Sequence, residues 1–496
     1  MNPTKHFEVD AAVLRKCFGE DQNPTEQIKA TISCYPDGQI CLESDFQIIN
    51  SISQKIYIEH LMDERYSGDY LLGGVTSEGY SISANTSIGT KFNNEGIKFE
   101  FSDLASDSEK RGFIGLKNLR IDYNLDAELG VVNEIRYGLT DIKLLKNFTA
   151  SFIKDKAQLR LKSISNIDQE GDRNIAKLNS EMILSNIPIS ENGIAQQNLY
   201  CTSSQLYGAY FTWFQMLLTF SSGHIVRDIY RVETTQANNG ATKVVEYWSG
   251  RYSLKKSGLR VIQDSNISEF IIQVANNVNF DIFRDIGLGL SLSWYIESFD
   301  TTTLPTQCLF LYTAIETLNS NFPEEKLKEE LAVNSINLEN PLSEKITIII
   351  EKLKELRDFC QYLVGEETNK RKFNSHLQRI SQVCDSLSTT IQKQKKPTFN
   401  TFNNLLKSIL IYYKVPYKDL FPDLDIKTVR DKLIHTGLYI KQSKEESTEF
   451  YLKLQSLFIR IVLSILEYKG SYFESAPTAE HATHQLIYKD FKRLDE

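Results

Sequence analysis

An arginine and a histidine stand five positions apart in the segment 425–437 of this chain of 496 residues. Arg430 carries a guanidinium that stays charged and can fork onto phosphate oxygens, and His435 carries an imidazole that titrates near neutral pH. Asp431 lies four residues before His435, so on a helix its carboxylate would share a face with the imidazole and could orient it. A guanidinium and an imidazole are the groups that metal-free cleavage of an RNA backbone requires.

The residues around this pair predict a helix. Ile426, Val429 and Leu433 repeat at helical spacing and give the segment an apolar stripe. Five residues at about 100° each place Arg430 and His435 about 140° apart around such a helix. One helix would not easily aim both side chains at one phosphate, whereas two copies related by a two-fold axis could share a cleft. The spacing therefore predicts a homodimer if it predicts catalysis.

The C-terminal part of the chain resembles the HEPN ribonucleases. The likeness is carried by the spacing from Arg430 to His435, by the Thr-Gly that follows, and by an Ala-x-Glu-x-Leu pattern at residues 314–318. It covers roughly residues 280–475. A long β-rich region ahead of such a domain is similar to the ApeA-type anti-phage HEPN proteins.

The resemblance implies a function and a role for each residue. It implies a metal-independent endoribonuclease with no cofactor, whose products are a 2′,3′-cyclic phosphate and a 5′-hydroxyl. In such an enzyme His435 is the general acid and base, Arg430 holds the scissile phosphate and Asp431 tunes the imidazole. Glu316 supports the arginine from a neighbouring helix. The implied setting is abortive anti-phage defence, with tRNA as a candidate substrate and a phage component as the trigger.

Each interpretation has an alternative. Arg430 could form a surface ion pair, and His435 could cap the end of its helix, where a cation is favoured. Glu316 could be a partly buried structural partner. The whole helical part could instead be a non-catalytic, dimeric HEPN-like module that binds a protein, a nucleic acid or a nucleotide ligand.

The net charge of −8 is distributed unevenly. Residues 1–300 carry 29 basic and 38 acidic side chains, and residues 301–496 carry 27 and 26, which gives balances of −9 and +1. If the chain binds nucleic acid, the charge balance therefore predicts that the C-terminal part does so. Lys393, Lys395 and Lys396 close a basic stretch there and could contact an RNA backbone. A solvated insertion between helices explains the same stretch.

Composition favours a soluble, cytoplasmic protein. Hydrophobic residues make up 41% of the chain and charged residues 24%, as in ordinary globular proteins. The N-terminus lacks a secretory apolar core, and the longest apolar stretch, 206–220, is shorter than the roughly 20 residues that span a membrane. Seven scattered cysteines without CxxC pairs predict neither a disulfide framework nor a metal site. No phosphate-binding loop or nucleophile elbow is present.

The predicted fold class is α+β with several domains. Residues 1–170 are expected to form a β-rich sensor domain of antiparallel sandwich or barrel-like type, with a hairpin at 27–43 that turns at Asp-Gly. Residues 171–280 are expected to be a second, mainly β portion, with a helix at 211–219 and strands at 225–235, 242–248 and 258–262. The helical HEPN bundle should span 281–475, and 476–496 should be a C-terminal tail.

Apolar periodicity predicts seven helices in the bundle. They are 294–299, 306–319, 343–364, 374–390, 400–413, 426–439 and 446–468. The last is apolar nearly all round, which predicts a central position in the bundle or at a dimer interface.

Overall fold

A computed structural model describes much of the chain as two compact units. The described residues are 4–16, 27–45, 69–78, 80–87, 111–115, 118–123, 131–142, 144–164, 178–188, 203–236, 241–249, 257–301, 303–322, 343–366, 378–388, 402–422, 426, 444–477 and 484–494. The first unit is Met1–Asn321, Tyr413–Leu420 and Arg430–Glu496, and the second is Phe322–Tyr412 and Phe421–Val429. The order of elements is β-rich first and helical afterwards, which confirms the α+β class.

Within the described residues, a single antiparallel sheet of 13 strands dominates the first unit. The strands are β1 Lys5–Lys16, β2 Gln27–Cys34, β3 Ile40–Asp45, β4 Asp69–Thr76, β5 Ser81–Ser87, β6 Arg111–Gly115, β7 Asn118–Asp122, β8 Val131–Thr140, β9 Phe148–Phe152, β10 Ala157–Ser163, β11 Leu178–Ser185, β12 Asp228–Gln236 and β13 Thr242–Ser249. Their order is β6-β3-β2-β1-β4-β5-β7-β13-β12-β8-β11-β10-β9. Strands on both sides of residue 170 share this sheet, since β8 pairs with β11 and β12. The four-part domain division stays a prediction.

The hairpin of β2 and β3 confirms the turn expected from Asp-Gly. The Tyr35 N–H donates to the Gln39 carbonyl at 2.8 Å, and the Gly38 N–H donates to the Tyr35 carbonyl at 3.0 Å. Gly38 has a φ of +88°, in the left-handed region that glycine adopts without a Cβ clash. The Asp37 carboxylate accepts the Gln39 N–H at 3.0 Å, as short acidic side chains do in turns.

The sheet bends strongly over a shared core. Strands β1 and β13 are four places apart, which would separate them by about 19 Å in a flat sheet. Yet Lys5 in β1 and Glu246 in β13 form an ion pair at 2.6 Å. The Leu178 N–H at the start of β11 also donates to the Pro36 carbonyl in the β2–β3 turn at 2.6 Å. Distant strands are therefore brought together around one cluster of buried residues.

Helices follow the sheet and cover part of it. In the first unit they are α1 Ser203–Ser222, α2 Ile267–Val274, α3 Leu288–Glu297 and α4 Leu304–Asn321. The second unit contains α5 Ser343–Glu366, α6 (378–388) and α7 Phe402–Tyr412. The first unit resumes with α8 Lys444–Ile465, β14 Ser471–Pro477 and β15 His484–Asp490. The helices expected near 294–299, 306–319, 343–364, 374–390, 400–413 and 446–468 are confirmed over their described residues.

The apolar stretch 206–220 lies within α1 and packs on both the sheet and later helices. The Phe211 ring stacks on Tyr137 of β8 at 3.6 Å, and Trp213 packs on Phe283 at 5.2 Å between ring centroids. No helix in the described part of the chain is both long and apolar enough to cross a membrane. The helix expected at 211–219 is thus confirmed, with its aromatic residues serving as core.

One expectation for the fold was wrong. Residues 258–262 form no strand, because the N–H groups of Val261 and Ile262 are bound by the Ser221 carbonyl at the end of α1. Further along the chain, β15 pairs with β14 as an antiparallel hairpin. The Phe473 N–H of that hairpin donates to the Val261 carbonyl at 2.7 Å. Both segments therefore support each other at the end of α1.

Candidate functional site

Glu316 is the predicted site residue that the structure describes, and α4 positions it. The sequence makes α4 a helix with an apolar face, and this face is buried. The Ser291 hydroxyl of α3 donates to the Ala314 carbonyl at 2.7 Å, and the Trp294 and Phe310 rings stack at 5.7 Å. Together, these two contacts fix α4 against α3. Glu316 follows two residues after Ala314 and is half-buried.

Asn319, one turn beyond Glu316, is a polar residue that sequence reasoning missed. It is 3% exposed, and within the described residues neither its amide oxygen nor its amide nitrogen has a hydrogen-bond partner. Burying an amide without a partner is costly, so such a group commonly bonds to water or a ligand. Its sequence signal is weak, because a single asparagine on a helix is usually a surface residue. Glu316 and Asn319 together make the C-terminal end of α4 polar.

The other predicted site residues lie outside the described residues. These are Arg430, Asp431 and His435, together with Lys393, Lys395 and Lys396. The described residue of the predicted helix 426–439 is Ile426, which is helical and fully buried. That position agrees with the apolar stripe expected to begin there. The grouping of Glu316 with the arginine and histidine stays a prediction.

A second polar cluster, centred on Arg460 of α8, was not anticipated from the sequence. Its side chain is 3% exposed and donates to both carboxylate oxygens of Asp419 at 2.7 Å. It also donates to Glu474 of β14, with Nη2 at 2.7 Å from Oε1, and to the Pro416 carbonyl at 2.7 Å. Lys489 of β15 forms a further ion pair with Glu474. The available signal was one arginine in an apolar run, which requires a buried partner.

This cluster joins three segments that are far apart in sequence. Arg460 connects the helix α8 with the loop at Asp419 and the C-terminal hairpin at Glu474. Hydrogen bonds from Arg460 hold the pKa of the Asp419 carboxyl below its ordinary value. The Tyr472 hydroxyl also donates a hydrogen bond to the Glu474 carboxylate at 3.2 Å. Every charge is paired, so the cluster is structural in character.

A third cluster lies where the sheet bends. The Glu246 carboxylate accepts hydrogen bonds from Tyr123 at 2.5 Å, from Trp248 at 2.5 Å and from Lys5 at 2.6 Å. Burial and the bond to Glu246 raise the pKa of Tyr123 well above its usual value, so its hydroxyl stays a donor. Burial also raises the pKa of the nearby Cys34 thiol. The neutral thiol and phenol make this cluster unsuited to nucleophilic chemistry.

The described residues hold no group of three or more histidine, cysteine, aspartate or glutamate side chains placed to bind a metal ion. Cys34, Cys308, Cys360 and Cys384 are buried cysteines. Burial raises the pKa of Cys384, which disfavours the reactive thiolate. These cysteines therefore behave as core residues.

Comparison with known proteins adds no relative. No family model matches the chain, and no curated protein or solved structure is significantly similar to it.

Proposed function

We propose that this chain is a metal-independent endoribonuclease of HEPN type, similar to the ApeA-type anti-phage proteins and active as a cytoplasmic homodimer. The observation that carries the proposal is the spacing of Arg430, Asp431 and His435 in the helical C-terminal part. The half-buried position of Glu316 on α4 supports it, because a shielded carboxylate can hold a guanidinium.

The proposed reaction proceeds by transfer of a phosphate ester within the RNA chain. His435 removes the proton from a ribose 2′-hydroxyl, and the 2′-oxygen attacks the adjacent phosphorus. The bond from phosphorus to the 5′-oxygen breaks, and that oxygen takes up a proton from an imidazolium. Arg430 binds the non-bridging oxygens and stabilises the extra charge of the transition state. The products are a 2′,3′-cyclic phosphate and a 5′-hydroxyl.

Two copies would supply the groups for this step. The angle of about 140° between Arg430 and His435 on one helix favours a cleft shared across a two-fold axis. Asp431 would orient the imidazole, and Glu316 would support the arginine. Lys393, Lys395 and Lys396 would contact the RNA backbone beside the cleft.

The β-rich region would act as the sensor or regulator of the nuclease in abortive anti-phage defence, with a phage-encoded component as trigger. Structured RNA such as tRNA is the proposed substrate. This role has to be tested in the intact chain, because removing residues 1–280 would take away Trp213 and expose Phe283. Trigger candidates should therefore be added to the full protein.

The reaction class can be tested through the ends of the products. Purified protein is incubated with total cellular RNA in excess EDTA, and the fragments are analysed for terminal groups. Discrete fragments with cyclic-phosphate and 5′-hydroxyl ends are expected. Fragments with 5′-phosphate ends, or cleavage abolished by EDTA, would contradict the proposal.

A second candidate function is a non-catalytic, dimeric HEPN-like module that binds a protein, a nucleic acid or a nucleotide ligand. Exposed apolar side chains on α5 and α6, such as Phe359 and Val383, favour a binding role. Such a module would bind its ligand saturably and leave RNA intact. It would also retain its biological effect after His435→Ala.

A further inference from the structure

Helices α5 and α6 of the second unit form an antiparallel pair. Arg357 contacts Asp385 at 3.1 Å, and four residues later Gln361 contacts Ser381 at 3.3 Å, so the numbering rises on one helix and falls on the other. Cys360 and Cys384 are both buried between them. The buried residues of α6 are all small, namely Ser381, Cys384 and Ser388.

Each helix also carries large apolar side chains that are exposed. On α6 they are spaced three and four residues apart, and on α5 seven and three, which is the spacing of a helix that packs on a partner. Their exposed fractions lie between 43% and 58%. The residues are Ile349, Leu356, Phe359 and Tyr362 on α5, and Ile380, Val383 and Leu387 on α6. We call them the α5–α6 patch.

The two stripes lie on the same side of the helix pair. On α6, Val383 directly precedes the buried Cys384, and on α5, Phe359 directly precedes the buried Cys360. A step of one residue rotates a helix by about 100°. On each helix, the exposed stripe is therefore rotated about the helix axis away from the buried cysteine, and the direction of rotation along the chain is the same for both helices. Because the helices are antiparallel, equal rotations bring the stripes to one side, where they form a continuous surface.

The patch is at the upper end of the apolar area that a single monomer normally exposes. Seven large side chains that are each about half exposed amount to on the order of 600 Å² of mostly apolar surface. A stable interface buries roughly 800 Å² from each partner. The patch together with its flanking side-chain stems therefore approaches the area that a dimer needs.

Charge indicates which partner fits. Over α5 and α6 there are five basic and six acidic residues, so the surface is nearly neutral and its signs alternate. Lys352 pairs with Glu355 at 2.6 Å, and Arg357 pairs with Asp358, so neither sign dominates. A nucleic acid or an anionic membrane would require an excess of lysine and arginine. A surface of mixed charge meets a second copy of itself without repulsion.

We infer that the α5–α6 patch is a self-association surface that joins two copies of this chain as a four-helix arrangement. The surface follows from the described helices, whereas its role as the dimer of the nuclease rests on the proposed function. Two antiparallel pairs that meet by their apolar sides make a bundle of four helices around a two-fold axis.

The test is the mass of the intact protein in solution. Sedimentation equilibrium at micromolar concentration should give twice the chain mass of 56.9 kDa. Leu356→Glu combined with Val383→Glu places charge in the middle of the patch and should raise the dimer dissociation constant at least about 100-fold. Leu290→Glu on α3 is the matched control, since Leu290 is 55% exposed outside the patch. A wild-type monomer, or a dimer that the double variant leaves intact, overturns the inference.

A second measurement needs no variant. Hydroxyl-radical oxidation of the wild-type protein reports the solvent exposure of Phe359 and Tyr362 directly. Both should be protected at concentrations where the protein is dimeric and oxidised after dilution to monomer. Equal oxidation at both concentrations, or protection in the monomer, overturns the inference. Protection in the monomer would mean that another part of the same chain covers the patch.

The outcomes also separate this inference from the proposed nuclease. His435→Ala should remain dimeric, because the substitution lies outside the patch. A patch-dependent dimer that never cleaves RNA would overturn the proposed function alone. If the double variant has the same mass in solution and the same RNA cleavage as the wild type, the self-association surface alone would be overturned.

Discussion

Glu246 in the sheet and Glu474 in the C-terminal hairpin are both buried carboxylates, but their charges are balanced differently. Glu246 is bound by two neutral donors, Tyr123 and Trp248, and by Lys5, whose side chain is 39% exposed. Glu474 is bound by Arg460, whose side chain is 3% exposed, by Lys489, and more weakly by the Tyr472 hydroxyl at 3.2 Å. The sheet thus stabilises a carboxylate mainly with fixed dipoles, whereas the helical region buries both members of an ion pair. Removing the cation should therefore matter far more in the helical region.

The largest effect is expected for Arg460→Met. The substitution removes the buried cation that balances the charge of Glu474 and also removes the hydrogen bonds to Asp419. The free energy of unfolding should therefore fall by about 3–5 kcal/mol. Urea denaturation measures the change. Arg460→Lys is the control, because it keeps a charge but loses the fork on Asp419 and should be intermediate. A loss below about 1 kcal/mol for Arg460→Met would show that the buried ion pair contributes no more than a partly solvated one.

A smaller effect is expected for Lys5→Met. Glu246 keeps its bonds from Tyr123 and Trp248, and the lysine is partly solvated, so the loss should be about 1 kcal/mol. The same denaturation experiment applies. A loss as large as that of Arg460→Met would show that the neutral donors do not hold the charge.

The pH dependence of stability sharpens the contrast further. Asp419 has a pKa in the folded state below that in the unfolded state, so its contribution is present above the unfolded value near pH 4. The contribution is lost as the pH falls through the folded value. Asp419→Asn should therefore flatten the decline in stability below about pH 4. Circular dichroism can follow unfolding at each pH. Equal losses of stability in the wild type and Asp419→Asn below about pH 4 would contradict this prediction.

The smallest effect is expected at a solvent-exposed pair. Lys352 and Glu355 on α5 are 69% and 64% exposed, and water screens their attraction. Lys352→Ala should leave the unfolding midpoint unchanged within error. A clear shift would mean that exposed and buried pairs in this protein cannot be ranked by burial.

Local patterns predicted much of the fold. The Asp37–Gly38 turn and the helical periodicity of 306–319 and 446–468 each found the correct element, because turns and helices depend on neighbouring residues. The pairing of β7 with β13 joins residues more than 120 positions apart and leaves no local mark. The C-terminal hairpin was missed because its inward-facing Glu474 interrupts the apolar alternation expected of a half-buried strand.

The candidate site divides in the same way. Glu316 was correctly placed on a helix, since the apolar spacing around it is local. The burial of Asn319 and the partners of Arg460 depend on helices and hairpins elsewhere in the chain, so the sequence did not reveal them. Arg430 and His435 were selected for their chemistry and spacing, and their roles stay predictions.

If His435 carries out RNA cleavage, two histidine variants should differ sharply in activity. The cleavage rate of the intact protein in EDTA is compared with those of His435→Ala and His6→Ala. His6 is an exposed histidine of β1, so the control removes an imidazole without touching the proposed site. Cleavage should fall at least about 100-fold for His435→Ala and be unchanged for His6→Ala. Equal rates for wild type and His435→Ala would show that His435 takes no part in cleavage.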